Sequence, residues 1–293
     1  MARELDHLVD RAHALLARLE AIVPAPPPAV DWRASIAFRW RKRSTQGYPQ
    51  PVTHVHRIAL EDLQGIERQK ALVEQNTRQF VNRVPANNVL LTGARGTGKS
   101  SLVKAVLNKY APKGLRLIEV EKQDLMDLPE IVDLVSGRPE RFILFCDDLS
   151  FEAEESGYKA LKAVLDGSVA APSENILVYA TSNRRHLMPE FMQENLEARR
   201  VGDEIHPGET VEEKVSLSER FGLWVSFYPF DQEEYLNIVF YWLGYFQAPI
   251  PDREQARQEA LQWALQRGSR SGRVAWQFAR DWAGRQRLKR VKG

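Results

Sequence analysis

Lys99 and Ser100 close the run Gly93-Ala94-Arg95-Gly96-Thr97-Gly98-Lys99-Ser100-Ser101, a complete G-x-x-x-x-G-K-S. A lysine and a hydroxyl behind spaced glycines suit one task, the cradling of a phosphate chain. The glycines let successive backbone N–H groups turn toward the phosphates, Lys99 reaches the β- and γ-phosphates, and Ser100 offers an oxygen to Mg2+. The flanks are those such a loop requires. Val89 to Leu91 read as a buried strand, while Leu102, Val103, Ala105, Val106 and Leu107 set an apolar face at helical spacing. The loop would thus open a helix whose N-terminus adds its positive dipole end. The competing reading is a Gly-rich turn without a ligand, and the strand and helix flanks oppose it.

A second candidate group lies downstream. Arg141-Phe142-Ile143-Leu144-Phe145-Cys146-Asp147-Asp148 reads as a buried strand ending in two carboxylates, and the C-terminal ends of strands in an open α/β sheet border the ligand crevice. Asp147 would enter the Mg2+ shell and Asp148 would orient or deprotonate a water, although two acids could merely cap the next turn. Ile176-Leu177-Val178-Tyr179-Ala180 is a further strand, followed by Thr181-Ser182-Asn183-Arg184-Arg185. The Asn183 amide there suits hydrogen bonding to a γ-phosphate or a water, and Asn is also a common turn residue. Thr53-His54-Val55-His56 alternates like a strand, but no third metal ligand accompanies the two histidines.

The elements that must hold these groups follow from periodicity. Residues 3 to about 23 form one amphipathic helix, ended by Pro24-Ala25-Pro26-Pro27-Pro28, which would hold it off as a stiff arm or let it fold back onto its own domain. Residues 32 to 43 interleave aromatics with positive charge, from Trp32 and Arg33 to Lys42 and Arg43. That pattern suits a solvated edge better than a nucleic-acid surface. Strands are expected at Val89–Leu91, Leu115–Val120, Phe142–Cys146, Ile176–Ala180 and Trp224–Phe227, with helices between, which indicates a parallel sheet covered by helices. After Pro229 only helices are expected: one capped by Asp231 with Glu234 three residues on, one from Asp252 to Gly268, and one from near Ser271.

Taken together, the loop, the Asp-Asp strand, the Thr-Ser-Asn strand end, Ser218-Glu219-Arg220-Phe221-Gly222 and the helical C-terminus resemble an AAA+ ATPase. More narrowly, Leu91 to Ser101, Phe145 to Glu152 and Ala180 to Leu187 resemble an uncharacterised bacterial AAA+ family known mainly as a domain of unknown function. The resemblance covers roughly residues 55 to 285 and implies a P-loop α/β core with a five-stranded parallel sheet and a small helical lid, to which the periodicity adds the N-terminal helical arm. The expected divisions are 1–28 for the arm and linker, 29–57 for a basic and aromatic connection, 58–229 for the nucleotide-binding core, and 230–293 for the lid and its basic tail. It also implies ATP and Mg2+ as ligands, phosphoanhydride hydrolysis, and a homo-oligomer acting on an unidentified protein client. Asn183 would be the polar sensor, Arg220 the arginine finger of a site shared between subunits, and Arg273 the lid arginine, with Arg270 a competitor. Gly65 belongs to Leu63-Gln64-Gly65-Ile66, which resembles the segment lining the adenine pocket. One departure is Asp148 where the family pattern has Glu. It leaves open whether Asp148 or Glu152 positions the water, and it suggests slow turnover. The aromatic-apolar-Gly tripeptide of protein-threading rings is missing from Glu121 to Leu128.

Composition adds bounds. At 293 residues, 43% hydrophobic and 27% charged, the chain is ordinarily globular and large enough for a core plus a smaller domain. Its single cysteine, Cys146, excludes an intramolecular disulfide. No apolar stretch approaches a membrane span and Met1-Ala2-Arg3-Glu4 does not open a signal peptide, so a cytoplasmic protein is expected. The formal charge is +2, yet residues 268 to 293 hold eight Lys or Arg against one Asp. That tail suits phosphates, an acidic partner, or simply solvent.

Overall fold

In the computed structural model, which describes residues 7, 9, 11–15, 29–43, 46–151, 156–166, 173–183, 199–201, 204–206 and 217–291, all five expected apolar runs are strands. In chain order the elements are β1 (Ala37–Arg43), β2 (Gln46–Pro51), α1 (Glu67–Val81), β3 (Val89–Gly93), α2 (Lys99–Tyr110), β4 (Leu115–Glu119), α3 (Leu128–Val135) and β5 (Arg141–Cys146). There follow α4 (Ser156–Asp166), β6 (Ile176–Ser182), the small pair β7 (Arg199–Val201) and β8 (Glu204–His206), β9 (Leu223–Phe227), α5 (Gln232–Tyr245), α6 (Arg253–Gln266) and α7 (Gly272–Val291).

The main sheet has seven strands in the order β2-β1-β4-β5-β6-β3-β9, so the expectation of five is two strands short. β1 runs parallel to β4, and β2 closes that edge antiparallel to β1. The segment read as a basic connection therefore extends the sheet. Its polar edge is built around Trp40, whose ring lies over Gly47 and whose Nε1 donates to Asp127 at 2.8 Å. Mixed Arg/Lys and aromatic composition hid the strand: on one face Arg39 pairs with Glu119 at 2.8 Å and Arg41 with Glu121 at 2.6 Å, while on the face of Phe38 and Trp40 the strand ends in Lys42, paired with Asp127 at 2.8 Å. Thr53 to His56, by contrast, are not a strand.

Alternation along each strand sends side chains to two apolar layers. Val89, Leu91, Leu117, Ile143, Phe145 and Tyr179 face the cluster holding α1, α2 and the C-terminal helices. Leu90, Ile118, Phe142, Leu144, Cys146 and Val178 face the cluster holding α3, α4, Trp32, Phe38 and Trp40. Each large side chain so buried contributes roughly 1.5–3 kcal/mol, which is why the parallel strands read as continuous apolar runs.

The C-terminal helices form around Tyr235, Leu243, Ala260, Phe278 and Trp282. Asp231 caps α5 as expected: it accepts from Glu234 N–H at 2.8 Å, and the Glu234 carboxylate accepts from Asp231 N–H at 2.8 Å. Asp252 caps α6 by its side chain alone, accepting from Glu254 N–H at 2.8 Å and Gln255 N–H at 3.1 Å. Of the expected N-terminal arm, His7, Val9 and residues 11–15 are helical and exposed; the remainder, with its proline run, lies outside the described residues. Among the described residues no helix is long and apolar enough to cross a membrane.

Candidate functional site

The order of strands brings the candidate residues together, although they lie far apart in sequence. β6 lies between β3 and β5, so the ends of those strands deliver the glycine loop, Asn183 and Asp147 to one cleft of about 670 Å³. Gly93 turns the chain at φ 124°, where a Cβ would meet the Phe227 carbonyl oxygen at 1.9 Å; only glycine fits. Gly98, at φ 102°, starts α2, and the amides of that first turn carry the dipole's positive end.

Lys99 is 6% exposed and donates to the carbonyls of Gly93 at 2.6 Å and Ala94 at 2.8 Å and to Asn183 Oδ1 at 3.0 Å. Desolvation pulls its pKa below the usual lysine value, and Arg95 and Arg273 push the same way, against the opposing charges of Asp147 and Asp148. Thr97 Oγ1 donates to Ala94 O at 2.8 Å, tightening the loop. Ser100 Oγ donates to Asp147 Oδ1 at 2.6 Å, and Thr181 Oγ1 donates to the same oxygen at 2.6 Å. A hydroxyl and a carboxylate side by side are hard oxygen donors of the kind Mg2+ takes when phosphates and water complete its shell. The residues therefore fit the metal.

Asp148 follows at φ 54°, its N–H held by Thr181 Oγ1 at 2.8 Å. Its carboxylate accepts from Asn183 Nδ2, and Arg95 stands 3.8 Å away. Arg95, Gly96, Ser101 and Arg273 also line the cleft, whereas Arg270 is exposed and does not. The far end is apolar: Ile58, Leu63, Ile66, Phe230, Ile238, Trp242 and Trp276. Gly65 lies between wall residues Gln64 and Ile66, with its missing Cβ 3.1 Å from the Phe230 ring.

Arg220 stands elsewhere. It donates from Nε to Asp166 and lines a different cavity, near the start of β6. Glu152 lies outside the described residues, as do Arg184 and Arg185. Thr181 carried no role in the sequence reading; nothing local marks it, since its importance comes from β6 lying beside β5. Trp242 and Trp276 were equally invisible, because they read as ordinary apolar positions of α5 and α7. The lid also touches the loop directly, Gly272 N–H donating to Gly96 O at 3.0 Å, and it reaches the segment before α1, where Tyr241 OH donates to Asp62 at 2.7 Å.

This parallel sheet, phosphate loop and helical lid define the class: the fold is that of the AAA+ P-loop ATPases. The solved structure of the Thermotoga maritima RuvB Holliday junction branch migration motor is similar over 77% of this chain and 64% of that one, at 14% identity and a TM-score of 0.51. A mutant form of the same protein is similar over 82% and 68%, at 14% identity and a TM-score of 0.53. The chain thus spans under two thirds of the length of the first of these. The chain belongs to the family described as Protein of unknown function (DUF815), whose profile matches residues 33–286. None of the curated proteins matches the chain.

Proposed function

We propose that this protein is a cytoplasmic ATPase that binds Mg-ATP in the cleft, hydrolyses it slowly, and assembles so that Arg220 completes the site of a neighbouring copy to remodel or load a protein client. The observation that carries this reading is the convergence of Lys99, Ser100, Asp147, Asp148 and Asn183 on one cleft while Arg220 faces another way. Lys99 gives up carbonyl contacts for the β- and γ-phosphates, the loop amides and the α2 N-terminus hold the phosphate oxygens, and the base rests among Ile66, Trp242 and Trp276. Mg2+ held by Ser100 and Asp147 would neutralise phosphate charge. Asp148, steered by Asn183, positions the water, and Arg273 from the lid supports the charge that moves. Catalysis is then mostly positioning and electrostatics. Slow turnover is in keeping with a carboxylate one methylene short of glutamate and already engaged by Asn183 and Arg95.

A nucleotide-gated binding module with little turnover is the alternative, favoured by the same engagement of Asp148. A nucleic-acid remodeller has less support, because the basic residues of β1 are paired with acids. Steady-state hydrolysis by the purified protein decides between the first two, and Asp148→Asn tests the carboxylate. ATP affinity by calorimetry should stay within about threefold of wild type while hydrolysis falls by about 10²-fold or more, since an amide cannot accept the water's proton. Glu152→Gln should matter less. Wild-type protein with no turnover at any concentration would leave the binding module, and a dead Glu152 variant beside an active Asp148 variant would reassign the carboxylates.

A further inference from the structure

One residue of β6 holds three consecutive residues at the end of β5. Thr181, 1% exposed, donates from Oγ1 to Asp147 Oδ1 at 2.6 Å, and with the same oxygen it accepts from Asp148 N–H at 2.8 Å. Its backbone carbonyl accepts from Leu149 N–H at 2.7 Å. A hydroxyl has one proton to give and lone pairs to accept with, so one donated and one accepted bond fix its orientation. The sheet ladder does not require these contacts. The last registered pair of β5 and β6 is Cys146 with Ala180, and Asp147 already lies beyond β5. Thr181 therefore grips the turn that follows the strand rather than the strand itself.

The backbone of that turn shows why it needs a grip. Asp148 stands at φ 54°, in the left-handed region. Aspartate tolerates it better than most residues, because its short polar side chain bonds locally, but the surroundings must still impose it. Thr181 does so from both sides. The Asp148 N–H belongs to the peptide before the Asp148 Cα and the Leu149 N–H to the peptide after it, so the two bonds pin both dihedrals of Asp148. The bend sets the direction of the carboxylate, which accepts from Asn183 Nδ2, while Asn183 Oδ1 accepts from Lys99 at 3.0 Å. The end of β6 thus governs Asp148 twice, through Thr181 on its backbone and Asn183 on its side chain.

We propose that Thr181 is the positioning residue of the hydrolytic carboxylate: it holds Asp148 in the left-handed bend that aims its carboxylate into the cleft, and it serves hydrolysis rather than nucleotide binding. The inference rests on the reading of Asp148 as the group that positions the water. Binding has other holders. Lys99 is seated by the carbonyls of Gly93 and Ala94, and Asp147 Oδ1 has a second donor in Ser100 Oγ at 2.6 Å. Removing the Thr181 hydroxyl therefore leaves the loop and the Ser100–Asp147 pair in place and releases the bend at Asp148.

Thr181→Val keeps the shape and the backbone carbonyl and removes the hydroxyl, whereas Thr181→Ser keeps the hydroxyl. In steady-state hydrolysis Thr181→Val should lose about 10- to 100-fold in kcat with KM within about threefold, the mark of a misplaced group rather than lost binding. Thr181→Ser should recover most of that loss. Added to Asp148→Asn, Thr181→Val should cost nothing further, because a residue acting through Asp148 then has nothing to position. A second arm needs no nucleotide: amide hydrogen exchange resolved by residue. The Asp148 N–H should exchange about tenfold faster or more in Thr181→Val than in wild type or Thr181→Ser. The Leu149 N–H, whose acceptor is backbone, should stay protected and shows that the variant is folded. Thr181→Ala takes the place of Thr181→Val in both arms if the latter does not fold. Equal exchange of Asp148 in all forms, an unchanged kcat, or a loss that adds in full to that of Asp148→Asn would overturn the proposal. An inactive wild type would instead fail the hydrolytic reading of the cleft, and the exchange arm would still decide whether Thr181 holds the bend.

Discussion

Lys99 illustrates how a buried charge is both cost and tool. Its folded pKa lies below the unfolded 10.5, so the protonated lysine destabilises the fold, and that cost is relieved as pH rises through the folded pKa toward the unfolded one. Phosphates reverse the balance, since they reward the charged form. ATP binding should therefore take up protons at pH values around and above that lowered pKa, and affinity should fall as pH rises through it. Calorimetry in buffers of differing ionisation enthalpy measures this directly. Net uptake is expected in wild type and should vanish in Lys99→Arg, whose guanidinium does not titrate in the range; identical uptake in the two would place the titrating group elsewhere, with Asp147, Asp148, Arg95 and Arg273 as the charges that face it.

At the scale of elements, the β1–β2 hairpin shows that composition can mislead about what a segment does. Arg39, Arg41 and Lys42 look like a nucleic-acid patch in sequence, but β4 and the turn after it set Glu119, Glu121 and Asp127 opposite them. Exposed pairs of this kind contribute little stability each, about 0–1 kcal/mol. The hairpin is held instead by Trp40, which is 1% exposed. Gly47→Ala tests this: the added Cβ would stand 1.9 Å from Trp40 Cζ2, so something must move. The expected loss is about 1–3 kcal/mol in chemical denaturation, with ATP affinity unchanged because the hairpin is at the far edge from β3. An unaltered denaturation midpoint would mean the hairpin is not integral to the cooperative fold.

For the whole molecule, the question is whether the site is complete in one chain. Arg220 does not line the cleft of its own chain. If a neighbour uses it, Arg220→Ala should bind ATP normally and fail to hydrolyse it, and mixing it with Lys99→Ala should restore sites built from the loop of the first and the arginine of the second. Hydrolysis by the mixture should exceed that of either variant alone, with ATP promoting association in sedimentation. Normal turnover by Arg220→Ala would make each chain self-sufficient. The basic tail bears on partners at the same scale. Arg285 bridges Glu259 at 3.0 Å and Asp281 at 2.7 Å, Arg287 donates to the Phe246 carbonyl at 2.8 Å, and Arg280 sits over Trp276. Three of the eight cations counted there are thus engaged within the lid, and one of them, Arg285, is paired with acids.

Local chemistry was legible without a structure wherever the signal lies within a few residues. The spaced glycines before Lys99, the apolar runs of five strands and the Asp231 to Glu234 capping box each depend on near neighbours, and each is where the sequence places it. Period-two and period-3.6 patterns carry that information because backbone geometry alone sets them. What depends on strand order was not legible. That Thr181 bonds Asp147, that Trp242 and Trp276 wall the cleft, and that Arg273 rather than Arg270 reaches it are consequences of which strands lie side by side and how the lid folds over them. A sequence states such contacts only through the packing of the whole chain, and only the tertiary structure decides them.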